Sequence, residues 1–251
     1  TNTRDKGSVK VNKLVDSDGN GSFETANPNN FNWSLNGSGT NAMGSTKSDV
    51  PTGNHSVNEN SVSDYHFVGW YATNDTSHSC SNPTGTTLPV SVAVSKGQTS
   101  EITLCNARNM GTLQVFKNVD LNGDGDYVDA NETGATDWQW RANNGSWRNT
   151  GSAAVSVATG NYALEEQGPN GFSFVSLTCQ NGTLNTQTNT VAVTTGKNVV
   201  CTFYNKRDTA TISFLKEVIG GSSQPSDWTF TISGNNGTAK SGDTKTYQTG
   251  T

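Results

Sequence analysis

Two short acidic stretches of the sequence carry side chains that are suited to binding a metal ion. Each places oxygen-bearing side chains at positions 1, 3 and 5 and glycine at position 6. Ca²⁺ takes about six to eight hard oxygen ligands, and alternate residues of a tight turn direct such oxygens inward. The sequence therefore predicts two calcium loops. Their predicted ligands are Asp16, Asp18, Asn20, Ser22 and Glu24 in the first, and Asp120, Asn122, Asp124, Asp126 and Asp129 in the second.

The far end of both loops departs from the calcium-loop pattern. Position 12 holds Asn27 in the first loop and Asn131 in the second, where a bidentate glutamate is usual. Glu24, Asp129 or Glu132 could complete the shell, and the sequence does not choose between them. The alternative is a solvated turn without a metal ion. Against it, the clustered carboxylates of the second loop would repel one another if no cation were bound.

Three stretches of the chain begin in the same way and define an internal repeat. Their lysines, Lys13, Lys117 and Lys216, share one register within a strand of alternating apolar and polar residues. An aromatic strand and a Thr-Gly turn follow each lysine, and the first two stretches close on a strand ending in Asn-x-Arg. Because the landmarks recur in order, the sequence is a tandem array.

The elements of each repeat are predicted to be short strands. Helical periodicity is almost absent, and Asn-Gly pairs such as Asn36-Gly37 mark turns between strands. The fold class is therefore all-β, with tandem immunoglobulin-like β-sandwiches of about seven strands and about 100 residues each, arranged in an elongated rod. Trp33, Trp138 and Trp228 are assigned to one register and to the core.

The register also predicts how the chain is divided. Residues 1–5 are the tail of a preceding repeat, 6–109 the first β-sandwich, 110–208 the second, and 209–251 the N-terminal half of a third. A half sandwich would expose unpaired strand edges. We expect the array to continue past this half repeat; the alternative is that a neighbouring chain completes it.

The four cysteines fall two to a repeat, and none belongs to a close Cys-x-x-Cys pair. This pattern predicts disulfides and an oxidising compartment rather than a metal site. Pairing within repeats would join Cys80 to Cys105 and Cys179 to Cys201. The second cysteine of each repeat, Cys105 or Cys201, lies at a different distance from the asparagine of the last strand, so free buried thiols are the alternative.

The composition excludes several classes of protein. Only 31% of the 251 residues are hydrophobic and the net charge is -5, without a basic cluster that would bind nucleic acid. No apolar run reaches the length of a membrane span. A catalytic Ser/His/Asp set and a phosphate-binding glycine loop in a strand-helix context are also missing from the sequence, so an enzyme is not expected.

The order of landmarks resembles the prealbumin-like (SpaA/Cna B-type) repeats of bacterial surface proteins. The resemblance rests on the opening lysine, the aromatic strand, the closing asparagine and a Tyr-x-Leu-x-Glu piece that is clear from Tyr162 to Glu166. In the first repeat this piece is degraded, with His55 at the tyrosine position. The resemblance covers nearly the whole chain and implies an extracellular, non-enzymatic stalk, adhesin or pilus shaft.

The resemblance further implies an amide cross-link inside each complete repeat. In that family a lysine of the first strand can join an asparagine of the last, assisted by a buried carboxylate. The candidates by position are Lys13, Glu59 and Asn106 in the first repeat, and Lys117, Glu166 and Asn205 in the second. The alternative is an exposed lysine on a strand without a cross-link. Alternation places both lysines on the apolar side of their strands.

These observations together predict a structural extracellular protein, a cell-surface stalk or filament stabilised by Ca²⁺ and by cross-links within domains. The predicted partners are further copies of the repeat, in the same chain or a neighbouring one, and a host or cell-surface ligand. One alternative is an adhesin that recognises a glycan or a protein. The other is a self-assembling filament subunit whose C-terminal half repeat is completed by a neighbour.

Overall fold

The computed structural model of the chain describes residues 4–25, 31–232 and 237–248. Helical structure in these ranges is confined to one 3-10 turn, Pro225–Asp227, which confirms the all-β prediction. No helix in the described part of the chain is long and apolar enough to span a membrane. Residues 1–3 of the predicted tail and the loop residue Asn27 lie outside the described ranges.

The chain divides into two compact units. The first comprises Thr1–Thr112 together with Ser156–Gly160 and Val193–Lys197, and the second comprises the remaining residues. The predicted repeat boundaries and the rod arrangement stay predictions.

The strands of the first unit form two four-stranded sheets, ordered β4-β1-β8-β6 and β3-β2-β5-β7. Their bounds are β1 Lys6–Asp16, β2 Asn32–Leu35, β3 Ser38–Ala42, β4 Thr46–Pro51, β5 Gly53–Glu59, β6 Tyr65–Ala72, β7 Val90–Val94 and β8 Thr99–Arg108. Side chains from both sheets, among them Val11, Trp33, Val57 and Leu104, meet in one hydrophobic core. The unit is therefore a β-sandwich.

The alternating sequence of strand β1 determines which of its side chains point into the core. Its burial alternates along its length, so Val9, Val11, Lys13 and Val15 all face the core. Strand β1 pairs in parallel with the last strand of the sandwich, β8, and the register places Val15 opposite Asn106. Lys13 and Asn106 therefore project from neighbouring strands into the same interior.

The next strands along the chain, most of whose residues belong to the second unit, form a comparable pair of sheets, ordered β12-β9-β17-β14 and β11-β10-β13-β16-β15. The bounds are β9 Met110–Asp120, β10 Gln139–Ala142, β11 Arg148–Asn149, β12 Val155–Ala158, β13 Gly160–Gln167, β14 Phe172–Gln180, β15 Thr183–Asn185, β16 Thr190–Val193 and β17 Asn198–Arg207. Burial again alternates along β9 and β17, so Lys117 and Asn205 face inward with Val115 and Phe203.

The same unit continues into two small two-stranded sheets. Strands β18 Thr209–Ser213 and β21 Thr244–Gln248 form one, and β19 Thr229–Ile232 and β20 Gly237–Lys240 form the other. Large apolar side chains are exposed here, namely Ile212, Leu215, Ile219 and Trp228. This segment contributes few buried residues of its own, with Ala239 as an example.

The structure corrects the register of the tryptophans. Trp33 pairs with Glu59 and Trp140 pairs with Glu166, so Trp33 corresponds to Trp140 rather than to Trp138. The error has a simple cause. Each aromatic strand carries two aromatic residues spaced by two, and a shift of two residues along a strand leaves every side chain on the same face.

Candidate functional site

The first unit holds a buried cluster of three polar side chains on three different strands. Lys13 of β1, Glu59 of β5 and Asn106 of β8 are each less than a tenth exposed. The Lys13 Nζ atom lies 2.5 Å from Glu59 Oε1 and also donates to Asn106 Oδ1. The Asn106 side chain also hydrogen-bonds Glu59. The structure therefore brings all three cross-link candidates of the first repeat into mutual contact.

Burial shifts the pKa values of both ionisable groups of this cluster in the direction that favours their neutral forms. Removal from water lowers the pKa of Lys13 to about 8, although the Glu59 charge and hydrogen bond oppose that shift. The same burial raises the pKa of Glu59 against the opposing effects of Lys13 and Asn106. Because the two pKa values move toward each other, moving the proton from the ammonium to the carboxylate costs less here than in water.

The second unit places the corresponding residues together less completely. Lys117 is fully buried and its Nζ atom lies 3.0 Å from Glu166 Oε2, while burial lowers the pKa of Lys117 to about 8. The Oδ1 atom of Asn205 is also buried, but no described group hydrogen-bonds it. A cavity of about 450 Å³ opens beside Glu166 and Asn205. Neither lysine is an exposed strand lysine.

An aromatic ring covers the lysine in each copy of the register. The Lys13 Nζ atom lies 4.4 Å from the Phe31 ring centroid, and the Lys117 Nζ atom lies 4.2 Å from that of Trp138. Lys216 repeats the contact with Trp228 at 4.6 Å. Sequence reasoning assigned the tryptophans of these strands to the core only. The signal that could have found this contact is the fixed order of lysine and aromatic strand in all three stretches.

The first acidic loop is ordered by its own backbone. The buried carboxylate of Asp16 accepts hydrogen bonds from the backbone N–H groups of Gly19, Asn20 and Gly21. The remaining predicted ligands are exposed, and the backbone of Glu24 pairs with that of Val15. Four of the five predicted oxygens therefore lie on a solvent-facing turn that begins at a buried aspartate. The four are those of Asp18, Asn20, Ser22 and Glu24.

The second acidic loop repeats this arrangement and adds a buried glutamate. Asp120 accepts hydrogen bonds from Gly123 and Gly125, as Asp16 does from the equivalent residues. Glu132 is 1% exposed and accepts from the backbone of Leu121 and of Asp129.

Negative charge is concentrated in this loop. The carboxylate of Asp126 is the main cause of a raised pKa at Asp129, with smaller contributions from burial, Glu132 and Asp124. Within the described ranges, no group of three or more His, Cys, Asp or Glu side chains is gathered as a metal site. The calcium loops therefore stay a prediction.

All four cysteines are paired within their repeats. Cys80 bonds to Cys105 with an S–S distance of 2.05 Å, and Cys179 bonds to Cys201 with one of 2.09 Å. The alternative of free buried thiols is therefore wrong. The bridges are placed differently. Cys179 and Cys201 face each other across β14 and β17, whereas Cys80 lies in the segment between β6 and β7 and fastens it to β8, directly before Asn106.

Comparison with known proteins confirms the predicted type of repeat. Residues 109–203 match a family model described as a prealbumin-like fold domain. The second repeat, which carries Lys117 and Glu166, is therefore a prealbumin-like domain. No curated protein sequence matches the chain.

The chain is similar to several solved structures of bacterial proteins. The Bacillus anthracis TIE protein is 16% identical with a TM-score of 0.52, and the match covers 97% of this chain and 44% of that protein. The SpaC pilus adhesin of Lactobacillus rhamnosus GG is 14% identical with a TM-score of 0.38, covering 80% of this chain and 31% of that one. The major pilin of Streptococcus pyogenes is 14% identical with a TM-score of 0.31, covering 82% and 100%. At 16% identity, the likeness to the TIE protein concerns the fold.

Proposed function

We propose that this chain is a non-enzymatic structural segment of an extracellular cell-surface stalk or filament, and that amide bonds between lysine and asparagine stiffen its units. The observation that carries this proposal is the buried cluster of Lys13, Glu59 and Asn106, which recurs as Lys117, Glu166 and Asn205 at the same register. The prealbumin-like match of the second repeat and the two disulfides agree with an extracellular role.

The position of the cluster explains what such a bond would do. Strands β1 and β8 are the first and last strands of the sandwich, and they lie side by side in one sheet. A covalent bond between Lys13 and Asn106 would join the strand on which the chain enters the unit to the strand on which it leaves. A pulling force along the chain would then pass through that bond instead of unravelling the residues between them.

The chemistry requires no outside reactant. A proton moves from the Lys13 ammonium to Glu59, and the neutral Nζ atom attacks Cγ of Asn106 while protonated Glu59 donates a hydrogen bond to Oδ1. The Nζ–Cγ bond forms, the Cγ–Nδ2 bond breaks, and Glu59 carries a proton from Nζ to Nδ2. The released ammonia takes up the proton that Glu59 first received and leaves as ammonium, so Glu59 ends as the carboxylate that it was at the start, and no electrons are exchanged with another group.

Intact mass under denaturing and reducing conditions tests the cross-links. Each bond formed lowers the mass of the chain by one ammonia, and peptide mapping assigns the loss to a site. We expect Glu59→Gln to abolish the loss at the first site and leave the second unchanged. Glu101→Gln is the matched control, because Glu101 pairs with Lys10 on the solvent-facing side of the same sheet. An unmodified mass for the folded wild-type chain would refute the proposal.

We propose further that the two acidic loops bind Ca²⁺. Their donors are carboxylate, amide and hydroxyl oxygens, which suit a hard cation. In the second loop Asp120, Asp124, Asp126 and Asp129 would hold the ion, and the buried Glu132 would close the loop behind them. The raised pKa of Asp129 supports the proposal, because it reflects negative charge that a cation would neutralise. The bound ion would neutralise this charge and hold the turn rigid.

Thermal unfolding with and without calcium tests the loops. Calcium at about ten times its dissociation constant would stabilise the unit that binds it by about 1.4 kcal/mol. We expect Asp124→Asn to remove this gain for the second unit. Asp5→Asn, which removes a surface carboxylate paired with Lys96, should keep it. An unfolding temperature that does not respond to calcium in the wild-type chain would contradict the proposal.

The exposed apolar side chains of residues 209–248 favour a second candidate function, self-association. Leu215 and Ile219 are each more than four-fifths exposed, and the Trp228 ring is half exposed. Strands supplied by another copy of the chain would cover this surface. Sedimentation across a range of protein concentrations distinguishes a self-associating chain from a monomeric one, because a subunit completed by a neighbour associates as the concentration rises. Concentration-independent monomers would exclude this candidate.

A further inference from the structure

Each complete repeat contains a column of four side chains that begins at the reactive lysine. In the first repeat Lys13 lies over Phe31, and the Phe31 ring meets Tyr65 edge to face with 5.6 Å between centroids. The guanidinium of Arg108 lies over the other end of this pair, 5.3 Å from the Tyr65 centroid. The order of the column is therefore cation, ring, ring, cation.

The second repeat builds the same column from different residues. Lys117 lies over Trp138, and Trp138 meets Phe172 edge to face at 5.7 Å. Arg207 closes the column at 5.6 Å from the Phe172 centroid. Trp138 stands where the first repeat has Phe31, and Phe172 stands where it has Tyr65, but the distances between the groups are retained. The column is thus a feature of the repeat and not of one accidental contact.

The register of the last strand explains the Asn-x-Arg pattern of the sequence. Asn106 and Arg108 are two residues apart, so they project to the same side of β8. The strand pairing places Arg108 directly opposite Tyr65, and Arg207 directly opposite Phe172. The arginine therefore stands next to the reacting asparagine and at the far end of the rings that cover the lysine.

Both arginines bury a hydrogen-bond donor that finds no acceptor among the described residues. The Nε atom is buried and unpartnered in Arg108 and again in Arg207. Burying an unsatisfied donor of a charged group is unfavourable. Each guanidinium does donate through Nη1, Arg108 to the Tyr65 hydroxyl and Arg207 to Gln248 Oε1. Because Nε nevertheless has no described acceptor in either repeat, the contact of the guanidinium with the ring indicates a purpose besides hydrogen bonding.

We infer that the two rings and the arginine of each repeat form a lid that positions the reactive lysine and excludes water from it. The lid consists of Phe31, Tyr65 and Arg108 in the first repeat, and of Trp138, Phe172 and Arg207 in the second. The inference rests on the proposed cross-linking. It assigns Arg108 and Arg207 as positioning residues, since neither touches the reacting atoms.

The lid acts by keeping water away from the lysine ammonium. Glu59 is the charged group that faces Lys13, and Glu166 is the one that faces Lys117. Each ammonium also contacts its ring, and Lys13 donates to the uncharged Asn106 side chain. Burial is the main cause that lowers the pKa of both lysines to about 8 from 10.5. Water admitted by an open lid would return the pKa toward 10.5, which lowers the neutral fraction at pH 7 by up to about 300-fold.

Three variants of the full chain open the lid in different ways. Arg108→Leu removes the end of the first column and Arg207→Leu that of the second. Gly168→Ala leaves every charge in place, but the added Cβ would overlap the Trp138 ring and push it from Lys117. Each variant changes one repeat, so the other repeat of the same molecule is the control for folding. Arg207→Lys, which keeps the charge but removes the guanidinium, separates the effect of the guanidinium's contact with the ring from that of its charge.

The measurement is the rate of bond formation at each site during refolding. Chains recovered unfolded from inclusion bodies in denaturant, in which the bonds have not yet formed, are folded by dilution from about pH 6 to about pH 9, quenched in acid, and mapped by the loss of ammonia. We expect each lid variant to slow bond formation at its own site by at least about tenfold at pH 7 and to leave the rate at the other site unchanged. The pH at which the rate at the altered site reaches half of its maximum should rise. Arg207→Lys should behave like Arg207→Leu.

Two results would overturn the inference. One is a rate at the altered site, and a pH of half-maximal rate, equal to those of the wild-type chain. The other is an equal loss of rate at both sites, which would report impaired folding instead of a lid.

A readout that does not depend on bond formation separates this inference from the proposed function. In the Asn106→Ala background the first bond cannot form, and the Lys13 Nζ resonance can be titrated by NMR with and without Arg108→Leu. A higher pKa of Lys13 in the double variant supports the lid. An unchanged pKa overturns it, even if the wild-type chain forms cross-links. A wild-type chain without cross-links would instead refute the proposed function.

Discussion

Asn106→Ala is the sharpest test of the covalent bond in the first unit. The substitution removes the carbon that Lys13 attacks and leaves the ion pair between Lys13 and Glu59 in place. Lys13 and Glu59 keep each other as counterions, so the change in stability reports the missing cross-link together with a smaller contribution from the hydrogen bonds that Asn106 made to them. Glu59→Gln lacks this advantage, because it would leave the buried ammonium of Lys13 without a counterion.

The size of the effect follows from the length of chain that the bond closes. Lys13 and Asn106 are 93 residues apart, and a cross-link across such a loop restricts the unfolded chain by about 4.7 kcal/mol. The disulfide between Cys80 and Cys105, 25 residues apart, already shortens that loop, which reduces the value to about 4 kcal/mol. For a domain of about 100 residues, this corresponds to a melting temperature lower by about 15–30 °C.

Calorimetry of the oxidised chain, combined with intact mass, provides the assay. Asn12→Ala is the matched control: Asn12 also lies on β1 and hydrogen-bonds Glu101 and Thr73, but it faces away from the core. Its loss should cost about 1 kcal/mol. If Asn106→Ala lowers the melting temperature of the first unit no more than Asn12→Ala does, and the mass shows no ammonia difference, the reasoning is refuted.

Further predictions concern pH, the second disulfide and the order of reaction. In the Asn106→Ala variant, the free energy of unfolding should rise between about pH 8 and 10.5 in denaturant titrations, because the folded-state pKa of Lys13 lies below the unfolded value and its burial penalty disappears on deprotonation; a flat profile would contradict this. Replacing Cys179 and Cys201 by serine opens a loop of 22 residues and should cost the second unit about 3 kcal/mol, measured by denaturant unfolding. When unreacted chains fold, ammonia should be lost first from the site of the first repeat, because no described group donates a hydrogen bond to the Asn205 oxygen; equal rates by peptide mapping would count against this order.

Several features were determined by the sequence alone, because they depend on local spacing. Alternation along β1 and β9 placed Lys13 and Lys117 on the apolar face, and both are buried. The Asn-Gly pair at Asn36 adopts the positive φ of a tight turn, since a short polar side chain tolerates that conformation. The repeat register assigned the cysteine pairs correctly, because a unit with two cysteines has one internal pairing.

Tertiary structure decided what a period of two residues cannot specify. The pairing of β2 with β5 and of β10 with β13 set which aromatic ring covers each lysine, and it placed Trp138 there where sequence reasoning had aligned it with Trp33. Whether the asparagine meets the lysine was also decided in three dimensions: Asn106 does, whereas no described group hydrogen-bonds the Asn205 oxygen. The physical reason is that strand alternation fixes the face of a side chain, while contact distances depend on how strands remote in sequence pack against each other.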